Sequence, residues 1–530
     1  MRFVTDPETT VKIQKMQERI RWGSSEIQTR GIDQTRLVLA DGQSHTQEFS
    51  FSVIGDSGSG QHRGHNPQRR IAEQMFAQQA ECRFILHTGD VVYLVGSSEF
   101  YPKNFIEPYR ELLVGGEQYK RLNYDQMVFK LPFLPVPGNH DYYDLSLLYG
   151  AIAQMTYPFR RLMRLATPRS VGARLQLDLG WHGSQQGKAY TQAFIDPLWM
   201  VEMKGQLGQH LDQHYRAATS TGRCLQYEPG HFTRLPNRYY TFCYGGVDFF
   251  ALDSNTFNEP APLPTNSAGQ EYRQLLELRR QAIETEMQEL LAQVELLDPS
   301  KPDEEMQIDD MRAKLQQLEE VQIDIDKQLT ADRSIVIDTE QLDWLRDRLI
   351  QSWHNPDVRG RVLFFHHPPY VTEATKWHQA QTLAVRLRLR QVLDDVKEAV
   401  EHLANDQPIV NLVLNGHAHC FEYLRTVDTG HGDANVNWIV CGGSGYSLRR
   451  QRIEGDVLTE QFRMWGDNTL VAKSHLFVGR EGHGSAKRRP YSFVKIDVQA
   501  GNPVRFVIRP FVSEWFRGVW SDRALSPFGI

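Results

Sequence analysis

Five short motifs carry the side chains of this 530-residue chain that can do chemistry. Asp56 lies in GDSGSG, Asp90 and Tyr93 in GDVVY, Asn139 and His140 in GNHD, His366 in FFHHPPY, and His417 and His419 in NGHAH. Carboxylate, amide oxygen and imidazole form the ligand set of borderline or hard ions such as iron, manganese and zinc. The cysteines (Cys82, Cys224, Cys243, Cys420 and Cys441) form no CxxC-like pair, so a structural zinc site is not indicated. One Asp after a strand is usually a turn residue or a helix cap. Five such motifs in order, each ending a buried strand, call for a shared purpose.

The elements that must position them are legible as short apolar, β-branched or aromatic runs. They are FSFSVIGD, FILHTGD, LPFLPVPGNHD, VDFFALDSN, VLFFHHPP and IVNLVLNGHAH. Continuous apolar character over so few residues predicts strands buried on both faces. Amphipathic helical patterns lie between them, at 67–79, 100–113, 339–352 and 379–403. Alternating strand and helix predicts a layered α/β core, with its chemistry at the carboxyl ends of the strands. YSFVKIDV and PVRFVIRPFV near the end read as closing antiparallel strands.

These patterns divide the chain into an N-terminal extension (1–48), a core (49–450) and a C-terminal segment (451–530). Two segments depart from the core pattern. Residues 143–238, rich in Arg, His, Gln and Gly and without a clear buried strand, read as a cap beside the site. In 269–330, Leu276, Ile283, Met287, Leu290, Val294 and Leu297 repeat with coiled-coil spacing. After the breaker DPSKPDEE come Ile308, Met311, Leu315, Leu318, Ile325 and Leu329, with Gln322 interrupting the seam. This predicts an antiparallel helical hairpin, either self-packed on the surface or serving as an arm for a second copy or another protein.

The ordered set GDxG, GDxxY, GNHD, HxPxY and GHxH resembles the calcineurin-like metallophosphoesterases, and within them the purple acid phosphatases. Other branches carry D-x-H at the first motif; here Gly58 holds the third place, and Tyr93 follows Asp90 as in the purple acid branch. PNRYYTFCYGGVDFFALDSN is similar to that branch's strand pair. The resemblance covers about 50–371 without the insertions, and 409–445. It implies a layered β-sandwich core flanked by helices and two metal ions, from iron, manganese or zinc. Asp56, Tyr93 and His419 would bind one ion, Asn139, His366 and His417 the other, and Asp90 both. It further implies in-line attack on phosphorus by a hydroxide activated between the ions, on a phosphomonoester or, alternatively, on a diester or nucleotide pyrophosphate. His140 would stabilise the phosphoryl oxygens or protonate the leaving group, with Asp141 orienting its ring. His378 lies where similar enzymes place a further acid or phosphate-binding histidine.

His62, Arg63 and His65 directly follow the first motif and can add cations to a phosphate pocket, although their composition favours a solvated loop. GDSGSG does not describe a serine hydrolase: trypsin-like enzymes need an oxyanion loop in a β-barrel with His and Asp upstream, whereas here the motif ends a buried strand near the start of the core. A formal net charge of -6 argues against nucleic acid as a partner and leaves room for a small phosphorylated substrate. The polar start has no apolar h-region, and no run reaches the roughly 18 apolar residues of a membrane span. With few, unpaired cysteines, this predicts a cytoplasmic protein.

Overall fold

The computed structural model describes residues 4–58, 65–145, 185–298, 301–332, 334–404, 407–461, 468–482 and 486–530. The apolar runs become strands of two sheets packed face to face. In the smaller, seven-stranded sheet, Phe49–Ile54, Cys82–His87 and Phe133–Pro135 run parallel. Arg489–Gln499 pairs antiparallel with Phe49–Ile54, Val494 opposite Val53, and Arg505–Phe516 pairs antiparallel beyond it. The C-terminal strands thus close the core as their alternation predicts.

At the centre of the larger, eleven-stranded sheet, Val247–Ala251, Gly360–Phe365, Leu412–Asn415 and Asn437–Cys441 lie parallel in that order. Their continuous apolar character has a direct cause. Val362 and Phe364 point into the layer between the sheets with Phe51 and Val53. Leu363 and Phe365 point the other way, against Leu345, Leu349, Val385 and Leu389 of the helices Thr339–His354 and Ala380–Ala404. Each such side chain contributes about 1.5–3 kcal/mol on leaving water, so both faces hold the strands in register. Between the sheets, Phe51 meets Phe249 edge-on at 5.5 Å, and Phe84 meets Phe242 likewise at 5.5 Å. Local signals fix the helix starts: Asp338 accepts the Gln341 amide, and Asn66 accepts the Arg69 amide ahead of Pro67.

The structure redraws two boundaries. Ile32–Leu39, assigned by sequence to an extension, sits inside the larger sheet between Tyr240–Tyr244 and Gly222–Tyr227. Gly222–Tyr227, expected to be cap without a buried strand, buries Cys224, Leu225 and Tyr227. Both strands mix buried and half-buried positions, so neither has the continuous run that marks a central strand. Residues 146–184 of the expected cap lie outside the described residues.

The hairpin forms as its periodicity predicts, from an outer arm, Ser267–Leu296, and an inner arm, Pro302–Thr330. At 1.5 Å per residue each spans about 45 Å. Leu276, Ile283 and Met287 pack on Leu315, Leu318 and Ile325. Gln322 breaks the seam because its amide donates to Glu284 across the arms, at 2.9 Å. The hairpin does not stand free of the core. Asp324 on the inner arm accepts the backbone amides of Ala380 and Gln381, at 3.0 and 2.9 Å. Lys327 pairs with Asp6 and Glu259, and Asp310 with Lys487 and Arg480. Among the described residues, no helix is long and apolar enough to cross a membrane.

Candidate metal centre

Every motif ends a strand of the parallel region, and together they meet where the two sheets share an edge. Asp56, Asp90 and His417 adopt positive φ (49°, 56° and 64°), a conformation that costs a non-glycine residue about 1–2 kcal/mol and gathers at functional sites. Buried hydrogen bonds hold these turns. Asp56 Oδ2 accepts the His417 amide at 2.8 Å, tying the sheets together, and Asp90 Oδ1 accepts the His140 amide at 2.8 Å. Gly416 makes the first bond possible, since a Cβ there would lie 2.7 Å from Asp56 Oδ2.

Two donor sets result. In the first, Tyr93 Oη is 2.9 Å from Asp56 Oδ1, 2.7 Å from Asp90 Oδ2 and 3.3 Å from His419 Nε2. In the second, His366 Nε2 is 2.8 Å from Asn139 Oδ1 and 3.4 Å from Asp90 Oδ2, and His417 Nδ1 is 3.0 Å from Asn139 Oδ1. Adjacent donors on one ion bound at 2.0–2.2 Å lie roughly 3 Å apart, so both sets have the spacing of a coordination shell. The imidazoles are aimed accordingly. His366 Nδ1 faces the Thr88 carbonyl at 2.8 Å and His419 Nδ1 the Ser447 carbonyl at 3.0 Å, leaving both Nε2 atoms for a cation. Burial, Asp56 and Asp90 hold the Tyr93 hydroxyl protonated, its pKa well above the ordinary phenol range. Burial disfavours the His366 imidazolium, yet Asp90 beside it outweighs burial and holds its pKa up to about 9. Burial likewise opposes the charged form of Asp90, and His366 and His140 overcome it, holding its pKa below the ordinary carboxylate range. The seven predicted ligand-type residues therefore come together, all buried, and fit metal ions by donor chemistry and spacing.

No protein-family model matches the chain, and no curated protein sequence does. Among solved structures, similar chains include a purple acid phosphatase from yellow lupin seeds (11% identity, TM-score 0.39). They also include GAP50, the anchor in the inner membrane complex of Plasmodium (11%, 0.36), and PhoD (11%, 0.36). The alignments cover 92%, 91% and 92% of this chain and 54%, 89% and 70% of those chains. The chain spans about half the length of the lupin protein. These identities and scores carry no argument about the site, which stands on its own side chains.

Gly58 explains why Tyr93 can join the first set. A Cβ at Gly58 would lie 2.7 Å from Val92 Cα and 2.8 Å from Tyr93 Cδ2, so a histidine there and the Tyr93 ring exclude each other. Tyr446, which sequence reasoning missed, stacks on Tyr93 at 3.7 Å and 7°. His140 lies over the Tyr93 ring at 4.3 Å. Its Nδ1 is held by the Leu94 carbonyl at 2.6 Å, not by Asp141. The Asp141 carboxylate instead accepts the Gly138 and Asp90 amides, at 2.9 and 3.1 Å, and ties the two loops together. His367 clusters with His366 and His417, but its ring nitrogens already meet Ser254 Oγ at 2.8 Å and Asn258 Nδ2 at 3.3 Å. Cys420 is buried in the helix-facing layer, away from the ligand face.

The remaining expectations move. His378 is exposed, with Arg452 and Glu454 as its charged surroundings, so it does not join the site. The residue that does is Lys376, whose Nζ is 3.0 Å from His417 Nε2 and 2.6 Å from Glu320 Oε2 of the inner arm. His62 and Arg63 lie outside the described residues. His65 stacks on Trp515 at 4.9 Å and 8°, against the C-terminal strands. Nothing local marks Lys376 or Glu320 in the sequence, because their meeting depends on how the hairpin lies.

Proposed function

We propose that this chain is a metal-dependent phosphatase that hydrolyses phosphomonoesters at a two-ion centre. The observation that carries the reading is Asp90, whose carboxylate belongs to both donor sets: Oδ2 lies 2.7 Å from Tyr93 Oη and 3.4 Å from His366 Nε2. Asp56, Tyr93, His419 and Asp90 would hold one ion, and Asn139, His366, His417 and Asp90 the other. Bound there, two ions would supply an activated water and neutralise charge on the phosphoryl oxygens. The chain's own groups do the rest. With His140 Nδ1–H donated to the Leu94 carbonyl, Nε2 is the ring atom left for substrate; it can donate to a phosphoryl oxygen or protonate the leaving oxygen only as the imidazolium, which burial disfavours and Asp90 favours. Asp141 keeps the GDVVY and GNHD loops at a fixed separation. The free thiols of all five cysteines suit a reducing compartment, where we place the reaction.

Rates on an aryl phosphate and on the bis-aryl diester, with metal content measured on the same samples, test this. Faster monoester hydrolysis by metal-loaded protein is expected. A large preference for the diester would replace the monoesterase reading with a diesterase on the same centre. A protein that binds neither iron, manganese nor zinc would end both.

A further inference from the structure

Two buried cations flank the donor sets on the side covered by the hairpin. Lys376, whose side chain is 1% exposed, reaches His417 of the second set. Arg449, 6% exposed, donates its backbone amide to the carbonyl of His419, of the first set, at 2.9 Å. One carboxylate lies between them. Glu320 Oε2 is 2.6 Å from Lys376 Nζ, and its Oε1 is 3.6 Å from Arg449 Nη2. Arg449 Nη1 donates to the Ala313 carbonyl at 2.8 Å, whereas Nη2 makes no hydrogen bond among the described residues. Burial opposes the charged form of Glu320, yet Lys376 and Arg449 hold its pKa down to about 2, so the carboxylate is anionic.

The charges do not balance. Two guanidinium or ammonium groups face one carboxylate, and a guanidinium donor is left without a hydrogen bond. A phosphate monoester dianion supplies the missing charge and more acceptor oxygens than a carboxylate.

Building on the phosphatase reading, we infer that Lys376 and Arg449 form the anion pocket for the substrate's phosphoryl group. In this structure Glu320 of the inner arm fills that pocket as a built-in stand-in. Glu320 must swing out before a phosphate monoester binds, and the hairpin thereby sets access to the centre.

Calorimetric titration of inorganic phosphate into the metal-loaded full chain, wild type and Glu320→Gln, tests the pocket. Removing the competing charge should tighten phosphate binding about tenfold, with metal content unchanged. Adding Arg449→Ala to Glu320→Gln should reverse that gain. Equal or weaker phosphate binding by Glu320→Gln at full metal content would overturn the pocket and leave the phosphatase reading standing. Loss of both metal and phosphate binding in the wild type would remove that reading and this one with it. A crystal of the wild-type protein soaked in phosphate gives an answer that does not depend on a variant. Phosphate on Lys376 and Arg449 with Glu320 displaced is expected; phosphate bound with the Glu320–Lys376 pair intact would overturn the inference.

Discussion

Asn139 is the residue whose removal should separate the two donor sets. Its Oδ1 lies 2.8 Å from His366 Nε2 and 3.0 Å from His417 Nδ1, while the first set makes no use of it. Asn139→Ala should therefore lose the second ion and leave the first, cutting kcat/KM about a hundredfold or more. Elemental analysis beside steady-state rates checks this; an unchanged metal count would move Asn139 out of the ligand set. Outside the centre, Glu422 predicts a pH effect. Burial raises its pKa from about 4.5 to about 7, against the bonds donated by the Thr372 amide and hydroxyl. A folded-state pKa above the unfolded one means that the protonated group stabilises the fold fully below about pH 4.5. That contribution is lost as pH rises through about 7. Glu422→Gln should thus be more stable than wild type at pH 8, by on the order of 2 kcal/mol, with the difference vanishing near pH 4.5. Urea denaturation at the two pH values reads it directly, and a difference that does not change with pH would show that folding does not raise the Glu422 pKa.

At the scale of elements, the inner arm is joined to the core at points that can be cut singly. Lys327 Nζ is 2.6 Å from Asp6 Oδ2 and 3.2 Å from Glu259 Oε1, linking the N-terminal segment, the loop after Val247–Ala251 and the hairpin. Breaking a buried network by removing one partner leaves uncompensated charge, so Lys327→Ala should cost about 3 kcal/mol. A loss under about 0.5 kcal/mol in urea denaturation would place the pair in the range of a solvated surface contact. This attachment also explains what sequence could and could not reveal. The ligand motifs were legible because each follows a parallel strand directly, so a few consecutive residues hold the whole signal. The hairpin was legible because coiled-coil spacing is local too. Its place over the centre was not, since Glu320 and Lys376 are 56 residues apart and no periodicity links them. Ile32–Leu39 was missed because its burial is mixed and its neighbours in the sheet come from distant segments. His378 was singled out two positions from Lys376: the segment was right, but whether a side chain turns inward there depends on a turn that composition does not encode.

Across the whole molecule, the centre joins the two sheets, because Asp56 follows a strand of one and accepts the His417 amide from the other. Among the described residues, the buried Asp56 and Asp90 carboxylates meet Tyr93, His366, His419 and backbone amides. An ion that binds only the folded chain adds about 2.7 kcal/mol at a free concentration of 100 Kd, and two ions add more. Chelation should therefore lower the melting temperature by several degrees, and manganese, zinc or iron should restore it. The form of the transition is as informative as its midpoint. If the metal-bearing edge belongs to the same cooperative unit as the inter-sheet core around Phe51, Phe249 and Phe364, the main calorimetric transition moves as a whole. A new low-temperature transition with the main one unmoved would show that the strand-end loops open by themselves, and that the ions order the site without holding the sheets together.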